Sequence, residues 1–129
     1  MAHFKNFEEL EIFKIARDLS QKIWHIIQFT SLSRDFELKN QINASSGSVM
    51  DNIAEGFGRG GNREFINFLG IAKGSCCETR SQLIRCHDRG HISNLEFQKL
   101  DVQTQALIEQ LSKFSNYLKN SDKKGSKFD

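Results

Sequence analysis

An all-α protein, folded as an antiparallel up-and-down four-helix bundle, is what this sequence predicts. Apolar residues recur in alternating steps of three and four through four separate segments, which keeps one stripe of each helix on a core. No segment sustains the every-second-residue alternation of a half-buried strand. The 129 residues contain no proline, which long helices tolerate and turn-rich β folds seldom do. This length suits one domain with one core, and 38% hydrophobic with 26% charged residues is the balance of a folded chain.

The first helix is expected over about 7–29, opened by a capping box of Asn6 with Glu9 and carrying the stripe Ile12, Ala16, Leu19, Ile23, Ile26. The run "FTSLSRD" supplies a turn. The second helix, about 37–57, carries Leu38, Ile42, Ser45 and Val49, with Ile53 and Phe57 continuing. The third, about 63–88, carries Phe65, Leu69, Ala72, Cys76, Thr79, Leu83 and Cys86, with Asn62 as its expected N-cap. After "DRGHIS" the fourth, about 94–119, opens on a Ser93–Glu96 capping box and carries Phe97, Leu100, Thr104, Leu107, Leu111, Phe114 and Leu118. The bundle domain is thus expected at 4–119, with 120–129 as a frayed tail.

Between the second and third helices lies "EGFGRGGNREF", which spells G-x-G-x-x-G at Gly56, Gly58 and Gly61. A dinucleotide loop needs a strand before it and a βαβ unit around it; here a helical stripe precedes it and no such unit exists. The glycines instead suit a junction. Gly56 or Gly58 is expected to take the left-handed conformation that ends a helix, and Gly60 and Gly61 to reverse the chain. The start of the third helix would offer free N–H groups to an anion beside Arg59 and Arg63, unless those arginines pair with Glu55 and Glu64 or are simply solvated.

Net charge is only +2, but it is unevenly distributed. Residues 1–55 hold six Lys/Arg against eight Asp/Glu, 56–91 hold six against three, and 92–129 hold six against five, or −2, +3 and +1. The six cations of the middle segment, Arg59, Arg63, Lys73, Arg80, Arg85 and Arg89, are the candidate nucleic-acid-binding residues. Lys73, Arg80 and His87 recur every seven residues as a basic flank, with solvated or salt-bridged surface charge, such as Arg85 with Asp88, the competing reading.

The third helix is apolar nearly all round between Phe65 and Cys77, and an apolar surface on several sides calls for burial on several sides. Gly70, Gly74, Cys77 and Ser81 form a second seam of small residues. Glycine inside a helix costs roughly 0.5–1 kcal/mol against alanine, so this seam, with Phe68 and Ile71, is the expected subunit interface.

Enzyme chemistry finds no footing. Cys76, Cys77 and Cys86 are odd in number and lack a framework spacing, as in thiols of a reducing compartment. His87 and His91 stand four apart but lack a third ligand, so no metal and no cofactor are expected. Ser, His and Asp occur at no telling spacing. No signal peptide and no membrane span are apparent, which suggests a cytoplasmic protein with no membrane partner and no small-molecule substrate.

One stretch carries a resemblance. Asn52-Ile53-Ala54-Glu55-Gly56-Phe57-Gly58-Arg59, then Arg63-Glu64-Phe65, Phe68-Leu69, Ile71-Ala72 and Gly74-Ser75 before Glu78, resembles the signature of the 23S rRNA intervening-sequence protein family, also called four helix bundle protein. "FKNFEELEIFKIARDL" resembles that family's first helix, and the similarity runs over about 4–118. The resemblance implies a four-helix bundle assembled as a homopentameric ring. It also implies kinship with the accessory variability protein of diversity-generating retroelements, a basic pentamer that binds nucleic acid and a reverse transcriptase. The family's second helix usually has two basic residues after the position of Ile42 and a proline at that of Met50; here Asn43-Ala44 and Met50 stand there. The functional expectation is a non-enzymatic homo-oligomer associated with RNA, or with a nucleic-acid-processing protein. The alternative is a protein-interaction scaffold with no direct nucleic-acid contact.

Overall fold

Four helices and two 3₁₀ turns make up the computed structural model, which describes residues 4–123. The helices are α1 Glu11–Phe29, α2 Phe36–Gly58, α3 Asn62–Asp88 and α4 Asn94–Lys123, and no strand occurs among the described residues. The fold is the all-α four-helix bundle. Successive helices run antiparallel, because their cross-contacts count in opposite directions. α2 meets α3 through Ser45 with Gln82, Ser48 with Ser75 and Gly56 with Phe65. α3 meets α4 through Arg80 with Asp101, Cys76 with Thr104 and Asn62 with Leu118. α1 closes the ring by packing on α2 and α4.

The apolar periodicity delivers the core. All five stripe residues of α1 and all seven of α3 are buried, as are Leu38, Ile42, Ser45, Val49 and Ile53 of α2. In α4, Leu100, Thr104, Leu107, Leu111 and Leu118 are buried, while Phe97 and Phe114 pack at its edge. Each fully buried Leu or Ile contributes about 1.5–3 kcal/mol from apolar area removed from water.

The ends of the helices depart from the simple reading. Glu9 accepts the Asn6 N–H at 2.9 Å, as the capping pattern requires, but this closes only a 3₁₀ turn, Phe7–Glu9. Leu10 then goes extended (φ −72°, ψ 132°) and buries its side chain at 2% exposure, so α1 begins one residue later. The following turn holds a second 3₁₀ segment, Ser31–Arg34, around buried Leu32. Asp35 caps α2 by accepting the Leu38 N–H at 3.5 Å. The Ser93–Glu96 box forms as expected, with reciprocal bonds of 3.1 and 3.3 Å. α4 continues to Lys123 rather than ending near 119; residues 124–129 of the expected tail lie outside the described residues.

The glycine junction works differently from expectation. Gly56 and Gly58 both lie inside α2, and the left-handed residue is Gly60, at φ 84°. A Cβ on Gly56 would stand 2.6 Å from Phe68 Cβ and 2.9 Å from Phe65 Cδ1, so this glycine serves the close crossing of α2 and α3. Asn62 is not the N-cap; Gly61 holds that position. The Asn62 side chain turns inward at 3% exposure, and its Nδ2 donates to the Leu118 carbonyl at 3.2 Å. An amide that ties the start of α3 to α4 is unavailable to cap its own helix.

Candidate nucleic-acid interface

Folding redistributes the charge of the basic middle segment. Arg59, just after α2, pairs with Glu55 at 2.9 Å, lies 3.8 Å from Glu64 and sits 5.1 Å over the Phe68 ring. Arg80 reaches across to Asp101 of α4 at 2.7 Å. Arg89 pairs with Asp35 at 2.9 Å. Arg85 bonds Gln41 of α2, not Asp88. Asp35 and Asp101 lie far outside residues 56–91 and Glu55 just before them, so carboxylates beyond the segment offset part of a surplus that looked local. Among the described residues, Arg63 and Lys73 form no salt bridge, and both are exposed on α3.

The heptad flank is divided in the same way. Arg80 is held by Asp101, and His87 stacks on Phe97 with ring centroids 4.8 Å apart. Lys73 instead faces a cleft between α3 and α4, opposite Ser112, Ser115 and Lys119. Nothing singled out those α4 residues in the sequence. Their spacing does place them on one helical face, but an ordinary polar surface has the same spacing.

The small-residue seam is an open strip. Gly70, Gly74, Cys77 and Ser81 are all exposed, and a Cβ at either glycine would meet nothing within 4 Å. Phe68 lies off this strip, half-buried against Gly56 beneath Arg59. Ile71, 52% exposed, stands between Phe68 and the strip.

A hydrogen-bonded chain joins the two turns at one end of the bundle. Ser31 Oγ lies 2.6 Å from His91 Nδ1, and His91 Nε2 lies 2.8 Å from Asp35, which also receives Arg89. These bonds hold the Asp35 carboxyl down at about 2, with His91 the larger cause and Arg89 the next. The members stand 60 and 56 residues apart, so no local motif announces them. Their effect is mechanical: the α1–α2 turn is pinned to the α3–α4 turn.

Burial pushes the Cys76 thiol up to about 12 and that of Cys86 up to about 11, leaving little thiolate at neutral pH. Cys77 is exposed. Among the described residues no group of three or more His, Cys, Asp or Glu side chains is arranged for a metal ion, and no helix is long and apolar enough to cross a membrane.

The family model described as 23S rRNA-intervening sequence protein matches residues 8–113. The chain belongs to this family. It is the family that the "NIAEGFGR" run resembles. A solved structure, a protein of unknown function from the S23 ribosomal protein family of Bacteroides thetaiotaomicron, superposes with a TM-score of 0.73. It is 20% identical and covers 81% of this chain and 97% of its own, a likeness that shows the fold. No curated protein is a significant match to the chain.

Proposed function

We propose that this family member is a non-enzymatic, self-associating helical bundle that binds RNA through the exposed surface of α3. The observation that carries the reading is that, among the described residues, Arg63 and Lys73 stay unpaired on α3, beside an open strip of Gly70, Gly74, Cys77 and Ser81. Packing of a second copy on the strip offsets the intrinsic cost of its glycines, roughly 0.5–1 kcal/mol each. It also repeats the two cations around an assembly, a pentamer by the family resemblance, where modest charge sums into a field that attracts phosphates. The family's name points to ribosomal RNA as the first RNA to test. Three free cysteines suit a reducing, cytoplasmic setting.

Filter binding of labelled ribosomal RNA and unrelated RNA across a salt series tests this. Affinity is expected to fall linearly on a log–log plot, and Arg63→Glu with Lys73→Glu to abolish it. Absence of binding at low salt removes the proposal. A scaffold with no nucleic-acid contact is the second reading. It is favoured by the engagement of Arg59, Arg80, Arg85 and Arg89 within the fold and by Asn43-Ala44 in α2.

A further inference from the structure

We propose that the cleft between α3 and α4 is a binding site for a phosphate dianion, as inorganic phosphate or a phosphomonoester. The cleft has a volume of about 370 Å³, with Lys73 and Gly70 on one wall and Ser112, Ser115, Asn116 and Lys119 on the other. Ile66 and Leu69 complete its lining, and no carboxylate is part of it.

Donors gather here without a carboxylate. On α4, residues 112, 115, 116 and 119 follow the spacing that stacks side chains on one face, so two hydroxyls, an amide and an ammonium all turn toward Lys73. Among the described residues neither lysine has a carboxylate partner, and the side chains of Ser112, Ser115 and Asn116 form no hydrogen bond. Several buried helical hydroxyls of this protein bond back to a carbonyl three or four residues earlier: Ser46 to Ile42, Thr79 to Ser75 and Thr104 to Asp101. Among the described residues Ser112 and Ser115, though half-buried, keep their hydroxyls free, as does Ser20 on α1, but only Ser112 and Ser115 line a cleft with two lysines.

The contrast one heptad along α3 is informative. Arg80, on the same flank as Lys73, is closed by Asp101 at 2.7 Å, whereas α4 presents hydroxyls and a second lysine opposite Lys73. Two ammonium groups match a doubly charged phosphate better than the single charge of a phosphodiester. The hydroxyls and amide supply hydrogen bonds to its oxygens, and charge-assisted bonds of this kind are the stronger ones. The site stands independently of RNA binding, since its ligand need not be part of a polymer.

Isothermal titration calorimetry of the intact protein tests it, with inorganic phosphate, glycerol 3-phosphate and dimethyl phosphate against sodium chloride of equal ionic strength. Gly70 borders both the cleft and the small-residue strip, so titrations are run at several protein concentrations. Saturable binding of phosphate and the monoester is expected, with the diester weaker. Lys73→Gln with Lys119→Gln should weaken monoester binding by about tenfold or more, the loss expected for bonds to a charged group. Ser112→Ala with Ser115→Ala should weaken it less, and the equal charge change Lys22→Gln with Lys99→Gln between α1 and α4 should leave it unchanged. Heats no larger than the chloride control, or equal loss in the Lys22/Lys99 variant, would overturn the site. Equal binding of dimethyl phosphate would overturn the dianion assignment. RNA binding that survives in the Lys119→Gln protein while phosphate binding is lost separates this site from the RNA surface.

Discussion

Single residues are where the fold is most exposed to test. Gly56 sits where α2 and α3 nearly touch, and a Cβ there would come 2.6 Å from that of Phe68. Gly56→Ala should therefore destabilise the protein by about 1–3 kcal/mol, the usual range for forcing atoms into a packed contact, as measured by urea unfolding. Gly58, with open space around its Cβ position, should tolerate the same change. Asp35 offers a pH test with a definite sign. Its folded pKa, about 2, lies below the ordinary 3.8. Its contribution is thus fully present above pH 3.8 and disappears as the pH falls toward 2. Thermal melts of the wild type should drop across that window, and the gap to Asp35→Asn should narrow with them. A gap that is constant from pH 5 to 2.5 would contradict the hub role of this carboxylate. None of these contacts was visible as a motif. Ser31, Asp35, Arg89 and His91 gather from two turns that are adjacent only after the helices pack.

At the scale of the element, α3 carries both the core stripe and the open strip. Its core stripe was legible because burial repeats with the helical period, and Phe65 through Cys86 all fall inside. Its open strip was legible too, as a run of small residues. Charge pairing was not: helical periodicity says which way a side chain points, not which helix lies opposite. Asp101 and Asp35 neutralise Arg80 and Arg89 from other elements, Glu55 pairs with Arg59, and Gln41 holds Arg85 without neutralising it, which leaves Arg63 and Lys73 with no side-chain partner among the described residues. The break at Leu10 was hidden for a related reason, since a buried leucine fits a continuous helix as well as an extended residue. If a second copy packs on the strip, Gly70→Ala and Gly74→Ala should have opposite effects on two readouts. Each stabilises the isolated helix by roughly 0.5–1 kcal/mol, yet each should shift light-scattering masses toward monomer. Cys77 reports on the same surface. In the native protein it should react with a maleimide far faster than Cys76 or Cys86, which are buried, and its rate should fall as protein concentration rises.

The whole molecule combines a nearly neutral chain with a local choice of which charges stay free. A net charge of +2 gives no reason to expect RNA binding by itself. Local pairing and helix packing engage Arg59, Arg80, Arg85 and Arg89, and they spare Arg63 and Lys73 of α3 among the described residues. In the proposed assembly, self-association multiplies those two charges. The salt dependence of binding reads out both steps, because each phosphate neutralised adds about 0.7 to the slope for single strands. The most direct measurement is the salt-titrated affinity of the purified assembly for ribosomal RNA, with wild type beside the Arg63→Glu/Lys73→Glu protein. The predicted result is a steep negative slope in the wild type and lost binding in the variant. Binding that is absent at low salt, insensitive to salt or unchanged in the variant would contradict the proposed role of α3.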